Sequence, residues 1–462
     1  MNSEHYLYST AIDLARLPPM RYNSALVKVV TNLLQKKIQN RTAKIGILGL
    51  GYVGLPLACE FAKVGFQVTG FEVDASKVAS LLKGKSYIED IPEQELRPLI
   101  LKKALGATTD FSHLRKMDVT IICVPTPLRK TKDPDISFIA ESAKAIARTL
   151  HPQQLVVLES TTYPGTTKEF VLPILEAGGL NVGKDFYLAF SPERIDPGNK
   201  QFRLANTPKV VGGITPACSH LASAIYASIV SQVVSVSSTE SAEMVKLLEN
   251  TFRAVNIGLV NEIALICDKL HLNVWEVIEA AATKPYGFMP FYPGPGLGGH
   301  CIPIDPHYLS WKMKALNFSA RFIELAEEVN SHMPDYVLQK IVLALNYQRK
   351  SINGANILLL GVAYKSNVSD TRESPALDLY LLLSEQGAKV AFHDPWVKSI
   401  ELGAKRITGK PYSPALLQAM DAVVLTTAHR AFDAKEILKH SRLLIDTRNM
   451  TRGLTSKKLV RL

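Results

Sequence analysis

Apolar residues in this chain of 462 residues fall into two rhythms. Short, largely apolar strand-like segments stand at Ile45–Leu48, Gln67–Phe71, Val119–Val124 and Leu155–Leu158. Runs of that length without alternation are the mark of strands buried on both faces. Between the first two, Leu55–Val64 has helical spacing and closes at Gly65. Strand and helix alternating in this way predict βαβ units in a doubly wound parallel sheet. From about Thr239 to Arg349 the spacing becomes helical, with Met244, Leu247 and Leu248 on one face and Phe322, Leu325, Val329, Met333, Val337 and Ile341 on another. Pro334 should kink or open a helix there. After Gly354 the short runs return at Ile357–Leu360, Val390–Phe392, Ala422–Leu425 and Leu443–Ile445. Ser374 and Pro375 read as N-cap and first-turn proline of a helix that Gly387 closes.

The expected fold is α/β: two Rossmann-like, doubly wound parallel-sheet lobes joined by a central helical domain. The expected limits are an N-terminal extension at 1–43, a first lobe at 44–238, a helical centre at 239–349 and a second lobe at 350–462. The extension carries one amphipathic stretch, from about Ser24 to Ile38, that reads as a helix.

Composition narrows the class. Apolar residues make up 47% and charged residues 21% of the chain, the balance of a soluble globular protein. No apolar run approaches the roughly 20 residues that cross a bilayer, and the start lacks the pattern of a signal peptide, so a cytoplasmic location and no membrane partner are expected. The five cysteines, Cys59, Cys123, Cys218, Cys267 and Cys301, are widely spaced and include no CxxC pair, which argues against a disulfide framework or structural zinc. The net charge of +11 is scattered, without the basic and aromatic interleaving of a nucleic-acid surface. It suits anionic ligands such as nucleotides as well as a plainly solvated surface.

Two motifs carry candidate chemistry. Gly49-Leu50-Gly51-Tyr52-Val53-Gly54 follows a strand and opens a helix, and Glu72 ends the next strand. In a dinucleotide fingerprint Gly49 permits the turn, Gly51 the approach of a pyrophosphate, and Gly54 helix–sheet packing. Glu72 would take the ribose hydroxyls and favour NAD over its 2′-phosphorylated form, with Lys77 close enough to complicate that preference. Two hydroxyl-bearing turns, Val124-Pro125-Thr126-Pro127 and Ser160 to Gly165, follow later strands.

The second motif is Gly294-Pro295-Gly296-Leu297-Gly298-Gly299-His300-Cys301-Ile302-Pro303-Ile304-Asp305. Its glycines would let backbone amides approach a ligand, and Cys301 is a candidate nucleophile if its surroundings favour thiolate. His300, Cys301, Asp305 and His307 match no common metal spacing, and no metal is expected. Lys246 and Asn250, four apart on a helix, share a face; they could stabilise an alkoxide or form a solvated pair. Glu193, in Ser191-Pro192-Glu193-Arg194, reads equally as general base, ribose contact or salt bridge.

Taken in order, these motifs, with Phe190 to Arg194, the helix Glu243 to Asn250, and Lys365 followed by Asp370-Thr371-Arg372-Glu373-Ser374, resemble the UDP-sugar 6-dehydrogenases over residues 44 to 448. Tyr286-Gly287-Phe288-Met289-Pro290-Phe291-Tyr292-Pro293 is most similar to the UDP-N-acetylglucosamine branch, which feeds surface-polysaccharide synthesis. The resemblance implies a four-electron oxidation of a C6 alcohol to a carboxylate with two NAD, by way of a thiohemiacetal and a thioester on Cys301. It implies that Lys246 stabilises an oxyanion and, with Asp305, positions a water, that Asn250 orients the sugar, and that Thr161 and Glu193 sit at the reacting centre. NAD would meet Gly49, Gly51, Tyr52, Val53, Gly54, Glu72, Lys77, Pro125, Thr126, Thr161 and Arg372. The UDP-sugar would meet Glu193, Arg194, Lys246, Asn250, Arg253, Phe291, Tyr292, Gly298, Lys365 and Arg448.

Two positions depart from the UDP-glucose branch. Pro197 stands where that branch has a second glutamate, and Pro285 with aromatics replaces an arginine before the cysteine loop. Both favour a 2-acetamido sugar, with UDP-glucose and the N-acetylmannosamine and N-acetylgalactosamine epimers as alternatives. A two-electron β-hydroxyacid dehydrogenase would not need Cys301 or the second lobe, and a nucleotide-sugar sensor would not need Cys301, Lys246, Asn250 and Asp305 together. A homodimer or higher homo-oligomer, joined through the helical centre, is expected.

Overall fold

The computed structural model describes residues 33–88, 90–129, 133–195, 199, 201–299 and 301–462. Most of the expected N-terminal extension, Pro197 and His300 lie outside the described residues; the helix Leu33–Gln39 overlaps the end of the expected amphipathic stretch. The described chain forms two compact units, one of residues 33–249 and 304–319, the other of 250–303 and 320–462.

The first unit holds a sheet of eight strands: β1 Lys44–Leu48, β2 Gln67–Phe71, β3 Leu105–Thr108, β4 Val119–Ile122, β5 Leu155–Leu158, β6 Tyr187–Phe190, β7 Lys209–Gly213 and β8 Val233–Ser235. Their order is β3-β2-β1-β4-β5-β6-β7-β8. All neighbours run parallel except β6 and β7. The first six strands therefore have the order of a doubly wound dinucleotide fold. β4, β5 and β6 are buried along their whole length, which explains their unbroken apolar runs. Successive side chains enter opposite layers: Ile121 joins the core with Ile45 and Val68, Ile122 the core with Leu48 and Phe71.

The second unit holds β9 Asn356–Leu360, β10 Lys389–His393, the antiparallel hairpin β11 Ser399–Leu402 and β12 Lys405–Thr408, β13 Ala422–Leu425, β14 Leu444–Asp446 and β15 Leu459–Arg461. Apart from the hairpin they form one all-parallel sheet, β10-β9-β13-β14-β15. Pro375–Glu385 is a helix opening on proline, and Gly387 beyond its end has φ +82°. No helix among the described residues is long and apolar enough to cross a membrane.

The helices at the centre differ from expectation in phase. Arg321–Ser331 and Met333–Tyr347 are two helices, and Pro334 opens the second. The break shifts the buried face of the first onto Ile323, Ala326 and Asn330, leaving Phe322 and Leu325 exposed. Leu248 likewise points outward while Leu247 is buried.

Candidate active site

In the first unit the glycine motif lies beyond the carboxyl end of β1. Gly49 has φ +87°, and a Cβ there would stand 2.7 Å from the Cys123 carbonyl oxygen. A Cβ on Gly54 would come within 1.9 Å of the Gly49 oxygen, so the helix Gly54–Lys63 packs there only as glycine. Gly51 differs: a Cβ would meet nothing within 4 Å, which leaves open space over the helix start, as a phosphate cradle requires. Glu72, at the end of β2, accepts from the Leu50 N–H (3.1 Å) and the Asp74 N–H (3.2 Å), and Lys77 Nζ lies 3.9 Å from it. Tyr87 donates to the Leu50 carbonyl (2.9 Å), a brace that no local motif announces. Tyr52 is exposed and Val53 half-buried at the helix entry. These residues fit a dinucleotide: a cradle at Gly51 and a carboxylate at the ribose position.

The turns after β4 and β5 are tied together, since the Ser160 hydroxyl donates to the Val124 carbonyl (2.8 Å). The helix Asp305–Lys314 packs on both. Tyr308 donates to the Thr126 carbonyl, beside Pro125, and Trp311 lies 4.9 Å from Tyr163. Asp305 is buried at the first position of that helix, and Thr161 is half-buried in its turn.

A second anchor was not anticipated. Glu243, buried on the helix Thr239–Lys269, accepts from the N–H groups of Gly165 (2.6 Å) and Thr167 (2.9 Å) and from the Thr167 hydroxyl (2.7 Å). Burial outweighs these donors and pushes its carboxyl up to about 7.

One turn further, Lys246 is buried and donates from Nζ to the Glu193 carbonyl at 2.7 Å. The structure thus joins two of the expected residues beyond the end of β6. The Glu193 carboxylate accepts from the Arg194 and Ile195 N–H groups, at 2.7 and 2.6 Å. Arg194 is held at the Pro208 carbonyl (2.7 Å) and Glu249 (2.6 Å). Thr126, Thr161, Glu193 and Lys246 all stand where the carboxyl ends of parallel strands gather ligands.

In the second unit Asn250 is buried, which excludes the solvated-pair alternative, and it accepts from Arg253 at 3.0 Å. The cysteine loop is built differently from expectation. Its glycines are filled by protein: a Cβ would stand 2.4 Å from Arg448 at Gly294, 3.0 Å from Pro375 at Gly296, and 2.8 Å and 2.7 Å from Tyr364 at Gly298 and Gly299. The run is glycine so that the loop can lie flat on the turn between Ala363 and Pro375. A buried chain holds it from below: Gly294 N–H donates to Asn261 Oδ1 (3.0 Å), Asn261 Nδ2 to Asn330 Oδ1 (2.8 Å), and Asn330 Nδ2 to the Ala254 carbonyl (3.1 Å). Cys301 follows this rigid support half-buried, and all five cysteines are thiols.

The loop bearing Lys365 hangs on Asp394, at the end of β10. Asp394 accepts from the Val362 (2.7 Å) and Ala363 (3.0 Å) N–H groups and pairs with His429 Nε2 (3.0 Å). His429 Nδ1 accepts from the Asn367 N–H (3.0 Å), so Nε2 carries the proton. Burial pushes the Asp394 carboxyl up, but its hydrogen bonds to His429 and the loop outweigh that and hold it at about 2. Arg372 lies against Asp370, with contacts of 2.5 to 3.0 Å. Arg448 donates to the Thr426 carbonyl (2.9 Å) and, with Tyr292, Trp275, Glu279 and Arg452, lines a cavity of about 380 Å³; Phe291 packs on Phe252 at 5.7 Å.

Fold and strand-end chemistry together define a nicotinamide-dependent dehydrogenase with two α/β lobes. Residues 43–230 match the NAD binding domain, 240–332 the central domain and 358–453 the UDP binding domain of the UDP-glucose/GDP-mannose dehydrogenase family, and the chain belongs to that family. It is 36% identical to the UDP-N-acetyl-D-glucosamine 6-dehydrogenase of Pseudomonas aeruginosa, over 84% of this chain and 91% of that one. Among solved structures, the UDP-D-ManNAc dehydrogenase of Pyrococcus horikoshii is similar with a TM-score of 0.83 at 33% identity, covering 90% of this chain and 98% of that one. A UDP-glucose dehydrogenase of Pyrobaculum islandicum gives 0.81 at 28% identity, over 90% and 97%. The chain is an oxidoreductase of the UDP-sugar dehydrogenase family.

Proposed function

We propose that this enzyme oxidises the C6 alcohol of a UDP-N-acetylhexosamine, UDP-N-acetylglucosamine foremost, to the uronic acid, with residues 44–238 as cofactor lobe, 239–349 as helical centre and 350–462 as UDP-sugar lobe. The observation that carries the reading is the buried Lys246 ammonium held on Glu193 at the strand ends, on the helix whose next turn buries Asn250. Such a cation and amide are preorganised to meet negative charge developing on a C6 oxygen, an effect worth about 2.7–4 kcal/mol for one oxyanion donor. The bound NAD supplies the hydride acceptor, twice for each sugar.

Glu193 takes the hydroxyl proton, through a water or directly. The Cys301 thiolate adds to the C6 aldehyde, and Lys246 and Asn250 hold the resulting oxyanion. After the second oxidation the C6–S bond is a thioester; water held by Asp305 attacks it, and the thiol returns as the carboxylate leaves. Lys365 and Arg448 hold the UDP-sugar, and Arg372 reaches the cofactor. The aromatic segment Phe291–Tyr292 and the absence of an arginine at Pro285 favour the acetamido sugars, and the named relatives include both glucosamine and mannosamine enzymes.

Two NADH released per sugar, with a product of uronic-acid mass, is the expected outcome of a UDP-sugar panel. Cys301→Ala stops before the acid. One NADH per sugar, or a Cys301→Ala variant that yields acid at the parent rate, would refute the proposal. The partner in self-association is a second copy of this chain, and the surface assigned to it is the exposed row Phe252, Leu259 and Ile266, at seven-residue spacing along one helix, with Phe322 and Leu325.

A further inference from the structure

Behind Glu193 lies a charged cluster that the mechanism above does not use. Lys209, the first residue of β7, is buried with its Nζ 3.1 Å from Glu193 Oε2 and 3.0 Å from Glu159 Oε1. Glu159, just beyond β5, also receives the Tyr226 hydroxyl on Oε1, while its Oε2 faces the Cys123 thiol at 4.0 Å. Lys246 approaches from the helix Thr239–Lys269, on the Glu193 carbonyl, and the Arg194–Glu249 pair closes the other side. Six elements therefore converge on two carboxyls and the ammonium they share, almost out of reach of solvent: the side chains of Lys209, Glu159 and Glu193 are 3%, 0% and 9% exposed.

Among the described residues Lys209 is the one ammonium in contact with both carboxyls, and the second buried ammonium, Lys246, lies on the Glu193 side, so Glu159 is the carboxyl whose charge burial penalises most. The geometry therefore favours a proton on Glu159. Glu193 accepts two short backbone N–H bonds besides the ammonium, and hydrogen bonds to the charged form favour it. Glu159 lies deeper, and among the described residues its Oε2 meets only the Cys123 thiol, at 4.0 Å.

We propose that Lys209 is a positioning residue of the reaction: it holds Glu193 ionised and in one rotamer, while Glu159, the deeper carboxyl, keeps a proton. Burial and the neighbouring Glu193 push Glu159 up, and Lys209 with the Ile195 N–H overcomes burial to draw Glu193 down. The inference rests on the reading of Glu193 as a participant in the first oxidation.

The test is the pH profile of kcat for the full-length enzyme with NAD and its UDP-sugar. In Lys209→Met the acidic limb moves to higher pH by one unit or more, and kcat at neutral pH falls about 100-fold, the scale of a lost general base. The KM for NAD stays within about twofold, and Lys209→Arg, which keeps the cation, restores the limb. Glu159→Gln leaves the limb in place or shifts it down. If Lys209→Met does not fold, Lys209→Gln reads the same limb. An unmoved limb in a folded Lys209 variant, or an upward shift in Glu159→Gln, overturns the proposal. Glu193→Gln separates the two readings. If it leaves kcat unchanged, the role of Glu193 is wrong; if it cuts kcat while Lys209→Met does not, only the inference about Lys209 is wrong.

Discussion

Glycine does two separate jobs in this chain, and single methyl groups distinguish them. At Gly51 an added Cβ meets open space, so Gly51→Ala should unfold at the parent temperature yet raise the KM for NAD at least tenfold, about 1.4 kcal/mol, by filling the cradle. At Gly298 the same Cβ stands 2.8 Å from Tyr364 and 3.0 Å from the Glu373 oxygen, so Gly298→Ala should lower stability by about 1–3 kcal/mol in urea titration. The fingerprint around Gly51 was legible because all its parts are local. The packing role of Gly294 to Gly299 was not, because its partners, Tyr364, Pro375 and Arg448, come from distant segments. Glu243 supplies a pH test. Its carboxyl sits near 7 when folded against 4.5 unfolded, so folding favours the protonated form. The stabilisation is fully present below about 4.5 and fades as pH rises through 7, on the order of 3 kcal/mol at 1.36 kcal/mol per unit. Unfolding free energies at pH 5 and pH 8 should differ in that sense, and the difference should shrink in Glu243→Gln.

Among the elements, the strands β1, β2, β4, β5, β9, β10, β13 and β14 were read from short apolar segments because two-sided burial removes the ambiguity of alternation, while β3, β6, β8 and β15 were not read. β7 escaped notice: it starts with a buried lysine and ends in two glycines, so its sequence, Lys209-Val210-Val211-Gly212-Gly213, hides a strand that lies antiparallel to its neighbour. The helices were found but their phase was misread at Phe322 and Leu325, because the break before Met333 resets the count. The consequence is an apolar row in solvent. Leu259→Glu should reduce the mass measured by light scattering to that of one 50.8 kDa chain, without loss of helix signal by circular dichroism. A parent protein already monomeric at micromolar concentration would exclude that surface.

For the molecule as a whole, the two lobes share one device. In each, an acidic residue at the end of the second strand of its βαβ unit, Glu72 or Asp394, accepts from the loop after the first strand. Only Glu72 leaves acceptor capacity. Asp394 gives one oxygen to Val362, Ala363 and His429 and the other to Trp396 and Val397. The second lobe therefore cannot greet a dinucleotide ribose as the first one can. On the proposed reading, each chain works with one nicotinamide at a time, and the spent molecule must be swapped while the job is half done. During that swap the sugar would be a loose aldehyde, ready to condense with any amine in reach. On that reading a sulfur tether at Cys301 would turn this leak into a parked adduct, which is reason enough for a dehydrogenase to keep a thiol behind a loop packed so closely on Tyr364 and Pro375.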